Sequence, residues 1–351
     1  MKKILFDLLS LYSSSGKESA VVEYLKKFFH KLDIPLWTDQ VGNCYARLAG
    51  HGEPILLTAH LDTISNGIVP EPFEENGIIR SKNKSILGLD DKASVSVILE
   101  LVKSLIKAGR KYRPFEIVFT VREEPGCMGA KYLLEHGSFD LKSKVGLCFD
   151  FPQPVGSILS GAAGIWRGSI EFLGKAAHSA RPEEGKNALI VANQWARAYL
   201  SERDKSKRKN IGFFYAGGRK QFNLIPDYAE LELEIRSFDD IKEEYSRLAK
   251  SFFGYEVKIR QKEEFTRIQS YRHQKNDPWI YFIKKQMCNQ VIEPNEVAQS
   301  FGASDANIFQ EHGINVVVLG NGVKETHSVN EHVAFIDLQK LYLFLYKFFL
   351  H

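Results

Sequence analysis

The sequence predicts an α/β fold, a helix-covered sheet that carries a smaller inserted α+β domain. Three observations predict it. Four short, near-continuous apolar runs each lead into ionisable residues. A segment that is apolar on nearly all sides separates the first two runs. The middle of the chain then changes to alternating patterning in the order β-α-β-β-α-β.

The first thirty residues read as helices. Ser15-Gly16-Lys17-Glu18 marks a turn and a helix start, and Val21, Val22, Tyr24, Leu25, Phe28 and Phe29 recur at helical spacing. A short strand is expected over 43–48. Residues 55–59 run into His60, and 115–121 stop just before Glu123 and Glu124. Residues 145–149 run into Asp150, and 314–319 lead through a Gly-Asn-Gly turn toward His327. Runs of this kind suit strands buried on both faces. Between the first two lies 91–108, where Glu100, Lys103 and Lys107 make the one polar stripe of a largely buried helix. In open α/β sheets, sites form beyond the carboxyl ends of the strands. The ionisable residues sit there four times over.

The middle reads as strand 164–173, helix 188–200, strand 211–215, strand 228–235, helix 241–252 and strand 255–260. Over 228–235, Ala229, Leu231, Leu233 and Ile235 alternate with Glu230, Glu232 and Glu234, as in a half-buried strand. This is the split, ferredoxin-like order. The expected domains are 1–162 with 271–351, and an insert at 163–270. The larger domain resumes near Asp277 and Pro278 with a helix.

The chain has 351 residues, 44% hydrophobic and 26% charged, with a formal net charge of +4. So small a charge does not argue for nucleic acid or a membrane surface as partner. The basic run from Lys205 to Lys209 reads as a solvated loop. Cys44, Cys127, Cys148 and Cys288 show no paired short spacing, which suits a reduced, cytoplasmic protein. Asp7 breaks the apolar run at the amino end, so no signal peptide is read there. No stretch approaches the ~20 apolar residues needed to span a bilayer.

The chemistry-bearing residues suit a divalent metal of the zinc type, which takes His nitrogen and carboxylate oxygen where thiolates are lacking. In His60-Leu61-Asp62 the two ionisable groups share one side of an extended chain, so Asp62 can receive the other ring N–H of His60. Asp90 and Asp91 precede a helix, where a plain cap is the simpler role; a carboxylate there can also bridge two metals. Two adjacent glutamates beyond a sheet repel unless solvated or bound to cations. One of Glu123 and Glu124 can bind metal while the other accepts a proton from water. Asp150 and His327 are weak signals singly. Their convergence on one sheet edge points to a metal hydrolase site.

These motifs resemble the co-catalytic zinc exopeptidase family that includes peptidase T, carnosinase-type dipeptidases, aminoacylase, acetylornithine deacetylase and succinyl-diaminopimelate desuccinylase. The resemblance runs from the N-terminal helices to Glu331 and is closest to peptidase T-like members. It implies a zinc-exopeptidase-like mixed sheet covered by helices, with the insert as a lid and dimerisation domain. Thr58-Ala59-His60-Leu61-Asp62-Thr63 is similar to the first metal motif, implying His60 as ligand and Asp62 as its catalytic partner. Gly88-Leu89-Asp90-Asp91-Lys92-Ala93 resembles the motif whose first aspartate bridges the metals. Val121-Arg122-Glu123-Glu124-Pro125-Gly126 implies Glu123 as general base and Glu124 as ligand. Asp150 falls at another ligand position. Glu325-Thr326-His327-Ser328-Val329-Asn330-Glu331 implies His327 as ligand.

In the insert, Gly174-Lys175-Ala176-Ala177-His178-Ser179 resembles the segment whose histidine helps stabilise the oxyanion, across the subunit interface in dimeric relatives. Asn223 and Arg236 sit at substrate-side positions, and Ser304 lies in the small-residue loop 302–307 that is similar to the family's pocket lining. The implied cofactors are two divalent ions, zinc foremost, with manganese and cobalt accepting similar ligands. The implied reaction is hydrolysis of an amide bond in short peptides by a metal-bridging hydroxide and a Glu base, in a homodimer. An N-acyl amino acid deacylase and a silent binding protein are the alternatives. Asp rather than Glu at position 150 is associated with relatives that act on a free amino end. Two departures stand out. Ser94 replaces a usual glycine, and Phe151-Pro152-Gln153-Pro154 replaces a usual small-residue run, which reshapes the pocket wall.

Overall fold

The computed structural model describes residues 1–50, 52–109 and 111–350. Two compact units divide the chain. The first is Met1–Ser160, Arg272–Gln299 and Ser304–His351; the second is Gly161–Tyr271 with Ser300–Ala303.

Apolar runs need cover on both sides, and the first unit supplies it. Among the described residues its main sheet has eight strands. They lie in the order Trp37–Thr38, Cys44–Leu48, Phe115–Thr120, Ile55–His60, Val145–Cys148, Asn315–Leu319, Ser157–Leu159, Asn295–Val297. The four central strands are the four apolar runs, mutually parallel. Every residue of Ile55–His60 and Phe115–Thr120 is buried. Antiparallel partners flank the four, so the sheet is mixed. Helices Lys2–Leu9, Leu89–Ala108 and Phe335–Phe349 share the apolar core with these strands. Because the central strands run one way, all four carboxyl ends reach the same edge.

Local chain geometry sets the approach to that edge. Gly88 has a left-handed φ of 75°, and a Cβ there would lie 2.6 Å from Thr63 Cγ2. Only glycine fits both demands. Asp90 and Asp91 then leave helical geometry before the helix proper, and the peptide bond between them is cis. A smaller sheet of Pro72–Glu75, Ile78–Ser81 and His332–Ala334 holds the end of the last motif.

The second unit is a four-stranded antiparallel sheet in the order Lys207–Ala216, Tyr228–Ser237, Gly164–Leu173, Lys258–Ile268. Helices Ala188–Ser201 and Ile241–Lys250 bury one face, with Trp166, Phe172, Trp195, Leu231 and Leu233 in the core. This is the ferredoxin-like order that the patterning predicts. Two local expectations change. The basic run is not a solvated loop: a strand begins at Lys207, whose buried ammonium lies 3.0 Å from the buried Glu244 carboxylate. A buried acid needs such a partner. The last strand starts at Lys258 and reaches Ile268, beyond the expected 255–260. It is an edge strand, and its charged stretch Lys262-Glu263-Glu264 hides the pattern.

All four cysteines are free, with Cys288 exposed and the others buried. Among the described residues, no helix is long and apolar enough to cross a membrane.

Candidate metal and catalytic site

His60 ends its strand with Nε2 3.3 Å from Asp90 Oδ1. The other oxygen of Asp90 lies 3.3 Å from His327 Nε2, which is 3.1 Å from Glu124 Oε1. His60, Asp90 and Asp150 offer ligand atoms within 4.8 Å of one another, and so do Asp90, Glu124 and His327. Asp90 therefore belongs to both trios, one oxygen facing each histidine.

Asp62 does more than the simple pairing read from His-x-Asp. His60 Nδ1 lies 2.9 Å from the Asp62 main-chain carbonyl and 3.5 Å from its carboxylate. The nearer acceptor is the main chain. The carboxylate instead accepts the N–H groups of Glu123 at 2.8 Å and Glu124 at 3.2 Å, and the Ser15 hydroxyl at 2.6 Å. It ties the end of one strand to the loop beyond the next. That loop turns at Arg122, whose φ is 52°, and His327 likewise has a left-handed φ of 62°. Strained backbone of this kind gathers where side chains must be aimed.

Glu331 is a supporting residue that motif reading leaves without a role. Its buried carboxylate accepts the N–H groups of Gly88 at 2.6 Å, Leu89 at 3.1 Å and Asp90 at 3.1 Å. Asp305 is another. It is buried, accepts the Thr120 hydroxyl, and lies with Cys127 beside Glu123. An acid in the first turn of a helix is common, so nothing local signals this placement.

The charges of the site favour cations. His327 is pushed up to about 10 by its contacts with Asp90 and Glu124. Burial works against the charge on Asp90, but contacts from His327 and His60 outweigh it and hold Asp90 below the usual carboxylate range. Burial pushes Asp150 well up, helped by Asp90 and Glu123. Burial also pushes Glu123 well up, with Asp305, Glu124 and Asp62 adding to it against His60. So many crowded carboxylates call for cations. Glu124 Oε1 is buried, and its near neighbour is His327 Nε2 at 3.1 Å, so the two offer ligand atoms to one point. Two imidazoles with carboxylates around one shared aspartate fit two divalent ions. A carboxylate of raised proton affinity beside them suits proton transfer.

The remaining expected residues lie apart from these trios in what they touch. His178 is exposed, and its Nδ1 accepts the Ala180 N–H at 3.1 Å. Asn223 is exposed, and its main-chain carbonyl accepts the Ser179 N–H. Arg236 forks onto Glu234 at 2.8 and 3.1 Å and donates to the Phe301 carbonyl at 2.9 Å. Its fork is thus already filled. Ser304 is buried and its hydroxyl caps helix Asp305–Glu311 in a capping box with Asn307. Phe151 is buried, and its carbonyl accepts the Asn321 N–H. The departure after Asp150 is packed onto the 320–322 turn.

The chain is similar to known proteins along most of its length. The model for peptidase family M20/M25/M40 matches residues 56–351. The chain is similar to the aminopeptidase PepT of Bacillus cereus, with 26% identity, 98% of this chain and 96% of that one covered, and a TM-score of 0.84. It is similar to a tripeptidase of Staphylococcus aureus, with 26% identity, 99% and 96% covered, and a TM-score of 0.87. It is also 28% identical to the Bacillus subtilis protein YqjE over 95% of this chain and 93% of that one. With the paired histidine and carboxylate trios, these matches make the chain a member of peptidase family M20/M25/M40, a metal-dependent hydrolase of peptide or amide bonds that uses two divalent ions.

Proposed function

We propose that this chain is an aminopeptidase of short peptides, with zinc as its metal. His60, Asp90 and Asp150 would hold one ion, and Asp90, Glu124 and His327 the other. The observation that carries the reading is the shared Asp90 carboxylate, 3.3 Å from a histidine on either side. When bound, the metals polarise the scissile carbonyl and lower the pKa of water. Glu123 takes a proton from the attacking water at its carboxylate. The carbon–nitrogen bond breaks, and Glu123 hands the proton to the leaving amine. Asp62 holds the Glu123 main chain in place meanwhile.

The preference for a free amino end is supported by Asp150 and by likeness to an aminopeptidase and a tripeptidase. His178 is proposed as an oxyanion donor. Its Nδ1 accepts a main-chain N–H, which leaves the Nε2–H to donate. The second unit is proposed as a lid and dimerisation domain. Its edge strand Lys207–Ala216 exposes Phe213, Phe214 and Tyr215, as an interface in a homodimer would. The reduced cysteines suit a cytoplasmic setting.

A digest of a short-peptide library with added zinc or manganese, read by mass spectrometry, tests the reading. Loss of single residues from free amino ends is expected, with N-acetyl peptides left intact. Release of acyl groups from N-acetyl or N-succinyl amino acids, with free tripeptides uncut, would replace the peptidase by a deacylase. Two bound metals without turnover of any amide would favour a binding protein.

A further inference from the structure

Beside the last motif lies a cavity of about 540 Å³ whose lining carries three cations and one acid. That volume suits a small ligand. Arg80, Lys82, Lys84 and His332 line it, against one acid, Glu325. The chain builds this grouping through strand pairing. Ile78–Ser81 pairs antiparallel with His332–Ala334, so Arg80 lies opposite His332. Ile79 and Val333, also opposite each other, are buried. Arg80 and His332 therefore share the other, outer face. Lys82 follows, its N–H held by the Glu71 carbonyl at 2.9 Å. Lys84 turns with a left-handed φ of 58° and accepts the Asn66 amide at 3.0 Å on its carbonyl.

Among the described residues, Arg80, Lys82 and Lys84 enter no ion pair, unlike Lys2, Lys3, Lys26, Lys103 and Lys340 on the first unit's helices. Three unpartnered cations around one concavity raise the potential there and attract an anion. The cavity adjoins the metal site along the chain: Glu325 and Val329 line it on either side of His327. Two of the lining residues thus stand two positions from the proposed ligand His327, one on each side. The arginine expected to meet a substrate carboxylate, Arg236, has its fork filled by Glu234.

We propose that this cavity is a subsite for a carboxylate of the peptide substrate, carried on an acidic side chain or at the carboxyl terminus. The proposal deepens the peptidase reading and rests on it. Arg80 supplies a planar fork for the carboxylate, and Lys82 and Lys84 supply point charges.

The test is calorimetric binding to the metal-loaded Glu123→Ala protein, so that ligands are not consumed. The ligands are Ala-Gln-Ala, Ala-Glu-Ala and Ala-Gln-Ala with an amidated carboxyl end. The companion protein also carries Arg80→Gln, Lys82→Gln and Lys84→Gln. An affinity loss of about tenfold, equivalent to about 1.4 kcal/mol, is expected for the ligand that bears the recognised carboxylate. The ligand without it should change by less than about twofold. Loss for Ala-Glu-Ala alone assigns a side chain. Loss for both acid-terminated peptides, spared by the amide, assigns the carboxyl terminus. Lys82→Gln alone, at an exposed side chain, should give about a two- to threefold loss in the same direction. Equal affinities in all proteins for all three ligands would overturn the proposal. So would inorganic phosphate that binds the cationic cavity without displacing any peptide, since the site would then hold only a free anion. Failure of the peptidase reading shows separately, as no cleavage of the three peptides by protein with Glu123 intact.

Discussion

The Asp62 carboxylate accepts the main-chain N–H of Glu123 at 2.8 Å. This bond joins the end of one central strand to the loop that carries the proposed base and a proposed ligand. Asp62→Asn replaces one acceptor oxygen by a donor and leaves an N–H facing a donor. Supporting residues of metal sites typically contribute 10–100-fold to affinity or activity. A fall in kcat/KM of that order is expected, with a parallel loss in metal affinity measured by chelator competition. Unchanged values in both would show that the bond does not position the site.

Glu123→Gln removes the proposed base and keeps its shape. General acid–base catalysis contributes about 10²–10⁴-fold. Turnover should fall by that factor while metal analysis still finds two ions per chain. Wild-type turnover would assign the proton transfer elsewhere.

Glu331→Ala withdraws the acceptor from three main-chain N–H groups that set Asp90. An unsatisfied buried donor costs about 1–3 kcal/mol. A lower Tm is expected, together with weaker metal binding, because Asp90 loses its fixed approach. A lower Tm with unchanged metal affinity would confine Glu331 to a folding role.

His327 gives the site a pH dependence whose sign can be worked out. In the metal-free protein its pKa is raised from 6.5 to about 10, chiefly by Asp90 and then Glu124. The charged form is favoured by folding, so its stabilisation is complete below about pH 6.5 and is lost as pH rises toward 10. Metal needs the neutral imidazole, so binding should expel a proton in that window. Calorimetric metal titrations in buffers of different ionisation enthalpy should report proton release at pH 8. Its disappearance in His327→Asn identifies the source; undiminished release in that variant would exclude His327.

Much of the site is legible in the sequence because its chemistry follows strand ends. His60 closes one apolar run, and Asp150 directly follows another. Parallel strands must deliver such residues to one edge. The supporting residues are illegible for the opposite reason. Glu331 meets Asp90 across 241 positions, and Asp305 meets Thr120 across 185. Their partners are main-chain or hydroxyl groups that leave no periodic mark. Lys207 misleads in the same way: a charge run reads as solvated because nothing local reveals the buried Glu244. Arg236 reads as free because its partner Glu234 looks like one more solvated acid in an alternating strand. In the second unit, the strict alternation of 228–235 makes the strand plain, while the charged edge strand beyond Lys258 obscures its own length.

The central claim is that Asp90 is shared by two metals, and anomalous diffraction from zinc-loaded crystals tests it most directly. Two peaks are expected on opposite sides of the Asp90 carboxylate, one also touching His60 and Asp150, the other Glu124 and His327. A single peak, or two peaks that do not share Asp90, would contradict it.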